Sequence, residues 1–315
     1  MVDQRRRSAF QRRMAEVLKV RQSQVGELFR GARATTVRVN RLHLETPYEQ
    51  LVDWLSQRLG RLDPVSWCPD AYYCPPGLTC AGAIPMAEAG QVYLQNAASL
   101  IPVVALDPRP GESILDVAAA PGGKAFHIAA RVGNDCDLWL NDAIKPRAEK
   151  LAALAQLYGV RYARLTTLPA QYLDKSLPAA SFDRILLDVQ CSGEGRLDLR
   201  RSDALRHWSE QRIESYKYLQ TRMLEAAYRL LRPGGTMVYS TCTVSPEENE
   251  FPVSQILRRH ADLEPVPLTM AEPNFRPALT AWRDYRFDPR LRHGLRVVPT
   301  EVFEGFFAAK LIRQQ

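Results

Sequence analysis

No apolar run in the sequence approaches the roughly 20 residues that a membrane-spanning helix needs, so no membrane partner is expected. Cysteine is sparse and scattered: Cys68, Cys74, Cys80, Cys136, Cys191 and Cys242 form no CxxC pair and no dense secreted pattern. Reduced thiols and a cytoplasmic location are therefore expected. The spacing of Cys68, Cys74 and Cys80 is too wide for a usual zinc knuckle, and no metal is expected. The sequence holds no G-x-x-x-x-G-K-[ST] run, which excludes a P-loop, and no G-x-G-x-x-G turn, which weighs against a dinucleotide. It has no internal repeat and no low-complexity tract, so solenoid and fibrous architectures are out as well.

What is present is a chain of 315 residues with 46% apolar content, enough for one large domain or two modest ones. A net charge of +7 and a pI near 9.2 favour a polyanionic partner, nucleic acid first. The Arg-rich start reads as a solvated basic helix rather than a transit peptide, because apolar spacing runs on through Met14, Val17 and Leu18. Two regions separate. Residues 1–95 hold that helix, the extended stretch TTVRVNRL, an amphipathic helix from Tyr48 to Leu59 and a loop rich in Pro and Cys. Residues 96–315 alternate strand and helix signals, which implies an α/β fold with a parallel sheet and helices on its faces.

The strand signals are SILDV (113–117), 137–140, 162–166, FDRILLDV (182–189) and TMVYSTC (236–242), with LRVVP and FFAAKLI as late additions. A helix from Glu210 to about Leu231 stops at Arg232-Pro233-Gly234-Gly235. Ligands of such sheets bind where strands end at their carboxyl side. The turn Ala118-Ala119-Ala120-Pro121-Gly122-Gly123-Lys124 follows the first strand, and its small residues let backbone amides approach a ligand. A tight turn with no ligand reads the same way. Asp142, roughly 20 residues on, ends the second strand where a carboxylate can hold ribose hydroxyls, a feature shared by nucleotide enzymes at large.

Cys191 and Cys242 each follow an apolar strand and are expected to project into that crevice, although either alone reads as a small buried hydrophobe. A thiol pair there has a use. Carbon 5 of cytosine is a poor nucleophile; a thiolate added at carbon 6 turns it into an enamine that attacks a methyl sulfonium. The site then needs a proton acceptor for carbon 5 and a carboxyl group near ring N3. Asp188 stands three residues before Cys191, and Lys124 at the crevice mouth is placed to lower a thiol pKa or to steady Asp188.

In this order and spacing, DVAAAPGGK, LLDVQCSGEG and RPGGTMVYSTCTVSPEENE resemble the Sun-type (Nop/Sun) RNA cytosine-5 methyltransferases. The GEG after Cys191 is most similar to their RsmF-like bacterial branch, which acts on small-subunit ribosomal RNA. The resemblance spans roughly residues 35–313, VRVN and GQVYLQNAAS included. It implies a Rossmann-like S-adenosylmethionine-dependent fold: a mostly parallel seven-stranded sheet, helices on both faces, and a smaller α+β N-terminal subdomain for RNA. It implies Cys242 as the nucleophile, Cys191 as the group that helps remove the carbon 5 proton and release product, and Asp188 as a contact to cytosine and cofactor. The 118–124 turn would hold the methionine part of the cofactor, Asp142 its ribose, and Arg147 would support the pocket.

Three departures stand out. The residue before Cys191 is Gln190 where the family carries proline, and glutamine is expected to loosen a turn that proline stiffens. After the third strand the chain reads TTLPAQ, with Pro169 or a neighbour where the family often has an acidic residue, so cofactor affinity is expected to fall or to come from elsewhere. No extra RNA-binding domain of the kind longer relatives carry is expected after FFAAKLIRQQ, so RNA grip is expected from the N-terminal region and the catalytic domain. Basic clusters at Arg5–Arg13, Arg196–Arg206 and Arg283–Arg296, with His207, Trp208, Trp282, Tyr285 and Phe287 interleaved, are expected to grip phosphate and stack bases. Ribosomal RNA is the expected partner of a monomer. Transfer RNA, or a noncatalytic RNA-binding protein of the same fold, is the alternative; DNA is disfavoured because its enzymes use a Pro-Cys nucleophile after the fourth strand.

Overall fold

The computed structural model describes residues 2–31, 35–75 and 83–315. Helices α1 (Val2–Leu18) and α2 (Val25–Leu28) lead into a small antiparallel sheet of order β2-β3-β1-β4. Its strands are β1 (Thr36–Val39), β2 (Asp63–Pro64), β3 (Ala71–Tyr73) and β4 (Val92–Gln95), with α3 (Tyr48–Leu59) and α4 (Ile84–Glu88) between them. Leu51, Leu55 and Leu59 recur every fourth residue on α3 and bury against Val37, Val39 and Val92 of the sheet. Helix α5 (Ile101–Leu106) follows, and then the large sheet begins.

That sheet is built from β5 (Ser113–Asp116), α6 (Gly123–Arg131), β6 (Asp137–Asn141), α7 (Lys145–Leu157), β7 (Arg164–Thr166) and β8 (Phe182–Asp188). It continues through α8 (Glu210–Leu230), β9 (Leu231–Thr241), α9 (Glu250–Arg259), β10 (Leu263–Val266) and β11 (Phe275–Pro277). A two-stranded ribbon, β12 (Ala281–Trp282) with β13 (Tyr285–Arg286), stands apart; β14 (Leu295–Val297) and β15 (Phe306–Arg313) close the sheet. The order is β11-β14-β15-β9-β8-β5-β6-β7, with β10 also paired to β15. Strands β5 to β9 run parallel and the late ones antiparallel, so the sheet has nine strands rather than the expected seven. The helix before β9 ends at Leu230, and Arg232-Pro233-Gly234-Gly235 is the irregular start of β9, Gly234 at φ +79° and a register shift beside Phe182.

Alternation along the central strands feeds two cores. Leu115, Ile185, Leu187, Met237 and Tyr239 face α8 and α9, whereas Ile114, Leu186 and Val238 face α5, α6 and α7. Helix α1 joins the first of these cores through Phe10, Met14 and Val17 while Arg5, Arg7 and Arg12 stay exposed, so it packs with the large sheet rather than the small one. Its Arg13 is buried, its guanidinium 2.6 Å from Glu247 Oε2, 3.1 Å from Ser245 Oγ and 4.0 Å from Glu194 Oε1.

Of the aromatics expected to stack bases, Trp282 and Phe287 are buried, Trp208 and Tyr285 are half-buried against the same core, and His207 is exposed. Phe10 packs edge-on against Trp208, Trp282 donates to Glu247 at 3.0 Å, and Tyr285 stacks on Phe287. Interleaved rings and arginines are read equally well as a core with internal ion pairs, and here the rings had a hydrophobic face to join. Removing Arg13 strands a buried carboxylate, so Arg13→Ala is expected to lower the unfolding free energy by about 3 kcal/mol or more. Urea denaturation at pH 7 checks it, and a loss below about 1 kcal/mol would mean the pair is solvated.

Candidate active site

Strands β8 and β9 pair in parallel with Asp188 opposite Ser240, so both chains leave the sheet at the same edge. Cys191 follows three residues after Asp188 and Cys242 two after Ser240, and their Sγ atoms lie 3.3 Å apart. The hydrogen bond to Cys242, with burial added, pushes the Cys191 thiol well above its ordinary pKa. Lys124, at the start of α6, reaches Asp188 Oδ2 at 2.6 Å, and Ser240 Oγ donates to Asp188 Oδ1 at 2.8 Å. Burial alone would lower the lysine's pKa; Asp188 overrides it and holds the ammonium charged. Cys191, Cys242, Lys124 and Asp188 open into a cavity of about 1030 Å³ that also receives Asp116, Glu304 and Phe306. Burial first and Asp188 second push Asp116 up to about 7.

The turn after β5 lies on the same cavity, with Ala118, Ala119, Ala120, Pro121 and Gly123 in its wall. Its glycines serve the protein's own packing: at Gly122 (φ +116°) a Cβ would sit 2.3 Å from the Phe126 ring, and at Gly123 one would sit 2.8 Å from Tyr93. Asp142 caps its own loop through Oδ1, which accepts from Ile144 N at 3.1 Å. Its buried Oδ2 has no hydrogen-bond partner, although Arg147 passes at 3.4 Å on its way to the Ala120 carbonyl at 2.6 Å. An orphaned buried carboxylate oxygen beside the turn suits a ligand that brings hydroxyl donors, so the residues present fit the ribose of S-adenosylmethionine. The loop after β7, where an acidic residue is absent, is tied down by Asn141, whose Oδ1 accepts from Leu168 N and Thr166 Oγ.

The turn carrying Cys191 is fixed without proline. Val189 N donates to Ser240 O at 3.1 Å, Gln190 O accepts from Gln220 Nε2 at 3.0 Å, and Ser192 N donates to Glu248 Oε2 at 2.8 Å. Three protein hydrogen bonds thus restrain the turn that Gln190 was expected to loosen. Thr243 Oγ1 meets Ser192 Oγ at 2.9 Å and donates to Glu194 at 3.0 Å, which ties the Cys242 loop to the Cys191 loop. The acidic stretch 247–250 forms the floor: Glu250 pairs with Arg296 at 2.6 Å, and Asn249 Nδ2 donates to the Thr243 carbonyl at 3.0 Å.

Two site residues escaped sequence reading. Arg196, counted there only as part of a basic cluster, lines the cavity with Cys242; Glu304 stands 3.6 Å from its Nε. The only hint was position: GEGR directly follows the first cysteine, and EGFF opens the last strand. Among the described residues no group of three or more acidic, His or Cys side chains is placed to hold a metal. Cys74 is disulfide-bonded, which overturns the expectation that all six thiols are reduced; Cys80 lies outside the described residues.

Burial pushes Glu248 up to about 8. A carboxyl whose pKa is raised on folding stabilises below its unfolded value and loses that stability as pH climbs through the folded value. Wild type is therefore expected to lose on the order of a few kcal/mol between pH 5 and 9 that Glu248→Gln keeps. Urea midpoints of both proteins across that range give the test; parallel curves would show that Glu248 is already ionised in the fold.

Comparison with known proteins agrees with this geometry. Residues 103–312 match the family model described as 16S rRNA methyltransferase RsmB/F. The tRNA (cytosine(49)-C(5))-methyltransferase of Pyrococcus abyssi is 36% identical over 79% of this chain and 79% of its own length. The ribosomal RNA small subunit methyltransferase F of Klebsiella pneumoniae is also 36% identical, over 80% of this chain but 52% of its own, so the chain spans about half of that relative. A methyltransferase homologue from Pyrococcus horikoshii superposes with a TM-score of 0.77 at 28% identity, covering 96% of this chain and 99% of its own. The fold is thus the Rossmann-like methyltransferase fold, and the chain belongs to the RsmB/F family, RNA cytosine-5 methyltransferases that draw the methyl group from S-adenosylmethionine.

Proposed function

We propose that the chain methylates carbon 5 of a cytosine in RNA, small-subunit ribosomal RNA first, through a covalent bond from Cys242 to carbon 6. The observation that carries this reading is the thiol pair at 3.3 Å, on neighbouring parallel strand ends, facing a cavity that holds the Lys124–Asp188 ion pair. Transfer RNA is the second reading, favoured because the archaeal tRNA enzyme matches over most of both chains whereas the ribosomal relative is about twice as long.

The residues divide the chemistry. Cys242 adds to carbon 6 and makes carbon 5 nucleophilic. Asp188, positioned by Lys124 and Ser240, faces the ring N3 side and stabilises the charge that gathers there. S-adenosylmethionine, held by the 118–124 turn, Asp142 and Arg147, supplies a methyl group on a sulfonium to which carbon 5 is the nucleophile. Cys191 then assists loss of the carbon 5 proton, and its neighbour's sulfur leaves carbon 6. A raised thiol pKa keeps Cys191 protonated, so it does not compete with Cys242 as a nucleophile and assists proton loss by orienting the acceptor rather than by taking the proton itself. Residues 1–95 supply one wall of the site, through Gly31, Tyr93 and Gln95, and residues 96–315 the catalytic body. One chain supplies every group named here, so the working form we propose is a cytoplasmic monomer. A base inside a helix has to be flipped out to reach the cavity.

Incubation with tritiated S-adenosylmethionine and with ribosomal or transfer RNA tests the reading. Label in 5-methylcytosine is expected from one RNA, absent with Cys242→Ala, and a trapped protein–RNA adduct is expected with Cys191→Ala. No transfer to either RNA, with no heat of cofactor binding, would leave a binding protein of the same fold. Asp142→Ala is expected to weaken calorimetric cofactor binding at least about tenfold, since two ribose hydroxyls lose their acceptor. Unchanged affinity would assign the orphaned oxygen to something else.

A further inference from the structure

The nucleophile needs a cation that is not already spent. Among the described residues lining the cavity, Lys124 is committed to Asp188 at 2.6 Å, Arg147 to the Ala120 carbonyl at 2.6 Å and Arg201 to Asp203 at 3.0 Å. Arg196 differs. Its partner Glu304 lies 3.6 Å from Nε, and it lines the same stretch of cavity as the Cys242 thiol.

Backbone geometry makes that neighbourhood obligatory. Gly195 N donates to the Cys242 carbonyl at 3.0 Å, and Gly305 N donates to the Gly195 carbonyl at 3.0 Å. The two loops cross so closely that a Cβ on Gly195 would lie 1.8 Å from the Gly305 carbonyl oxygen, and one on Gly305 2.9 Å from Gly195 Cα. Two glycines in contact thus seat Arg196, Cys242 and Glu304 side by side. The charged and titratable groups around the Cys242 sulfur are Arg196 and Cys191 from the turns after β8, Asp188 at its end, Lys124 from α6 and Glu304 ahead of β15.

We propose that Arg196 is the cation that holds the Cys242 sulfur as a thiolate, its proton released to solvent, and that Glu304 is the tether setting how much of that charge the sulfur receives. The idea rests on Cys242 being the nucleophile. Burial pushes Glu304 up to about 7, so near neutral pH the tether is only partly charged and Arg196 is left free to face the sulfur. When Glu304 ionises fully, it competes for the guanidinium.

The test reads the thiol directly: the rate of iodoacetamide alkylation at Cys242, assigned by mass spectrometry, from pH 5.5 to 9.5 without RNA or cofactor. Arg196→Gln is expected to raise the apparent thiol pKa by about one unit, a roughly tenfold slower reaction at pH 7, and Arg196→Lys to recover part of it. Glu304→Gln is expected to react faster than wild type above pH 7, to converge with it below pH 6, and to lose that advantage in the Arg196→Gln background. Circular dichroism identifies any unfolded variant, and Arg196→Lys then carries the comparison. Arg196→Gln alkylated within twofold of wild type across the range would overturn the proposal while leaving the methyl-transfer assay of Cys242 untouched, so the two can fail separately.

Discussion

The parallel pairing of β8 with β9, Asp188 opposite Ser240, sets where every reactive group of the site can be. A one-residue slip would exchange the faces of Leu186 and Leu187, which now belong to different cores, so burial on both sides fixes the register. Because parallel strands end together, the chain segments after Asp188 and Ser240 emerge side by side. The side-chain bond from Ser240 to Asp188 reinforces the backbone pairing at the last step of the ladder. The 3.3 Å between the two sulfurs is thus a consequence of strand register before it is a property of the cysteines.

Below the cysteines the protein spends charge. Glu194, Glu247, Glu248 and Glu250 are all buried, an arrangement costly unless each carboxylate finds partners. Arg13 meets Glu247, Arg296 meets Glu250, and Trp208 and Thr243 meet Glu194. Glu248 finds a backbone N–H and an amide but no cation, and it responds by holding its proton to about pH 8. What these bonds give in return is position: both cysteine loops are fastened to one polar floor, and the acidic stretch after Cys242 is structural. Helix α1 belongs to the same arrangement, since Arg13 closes it from 180 residues or more away in sequence.

Much of this was legible before any coordinates. Apolar runs ending at Asp116, Asn141, Asp188 and Thr241 are strands, and their ends named the site because a parallel sheet gathers them at one edge. Helix α3 matched its predicted limits because its leucines keep helical spacing and flank a small sheet that needs them. What periodicity does not carry is the partner. It marked Trp208 and Trp282 as exposed companions of arginines, whereas each ring joins a core and its N–H finds a glutamate. Gln190 was read from the missing proline, but three hydrogen bonds from neighbouring elements decide that turn. Arg196 and Glu304 meet through a crossing of two glycines that no local pattern announces.

The distribution of charge then says what enters the cavity. Its interior carries Asp116, Asp188 and Glu304 around the thiols, with Lys124 and Arg196 beside them. Toward solvent stand Arg147, Arg200 and Arg201, whose side chains are 47%, 61% and 67% exposed. Under the proposed function, the exposed arginines would meet the polyanion's phosphates while a neutral ring lies between the carboxyls. Asp116 and Glu304, both near 7, shed part of their charge just where the ring must be accommodated. Attraction outside and near-neutrality inside separate the grip on the backbone from the chemistry on the base.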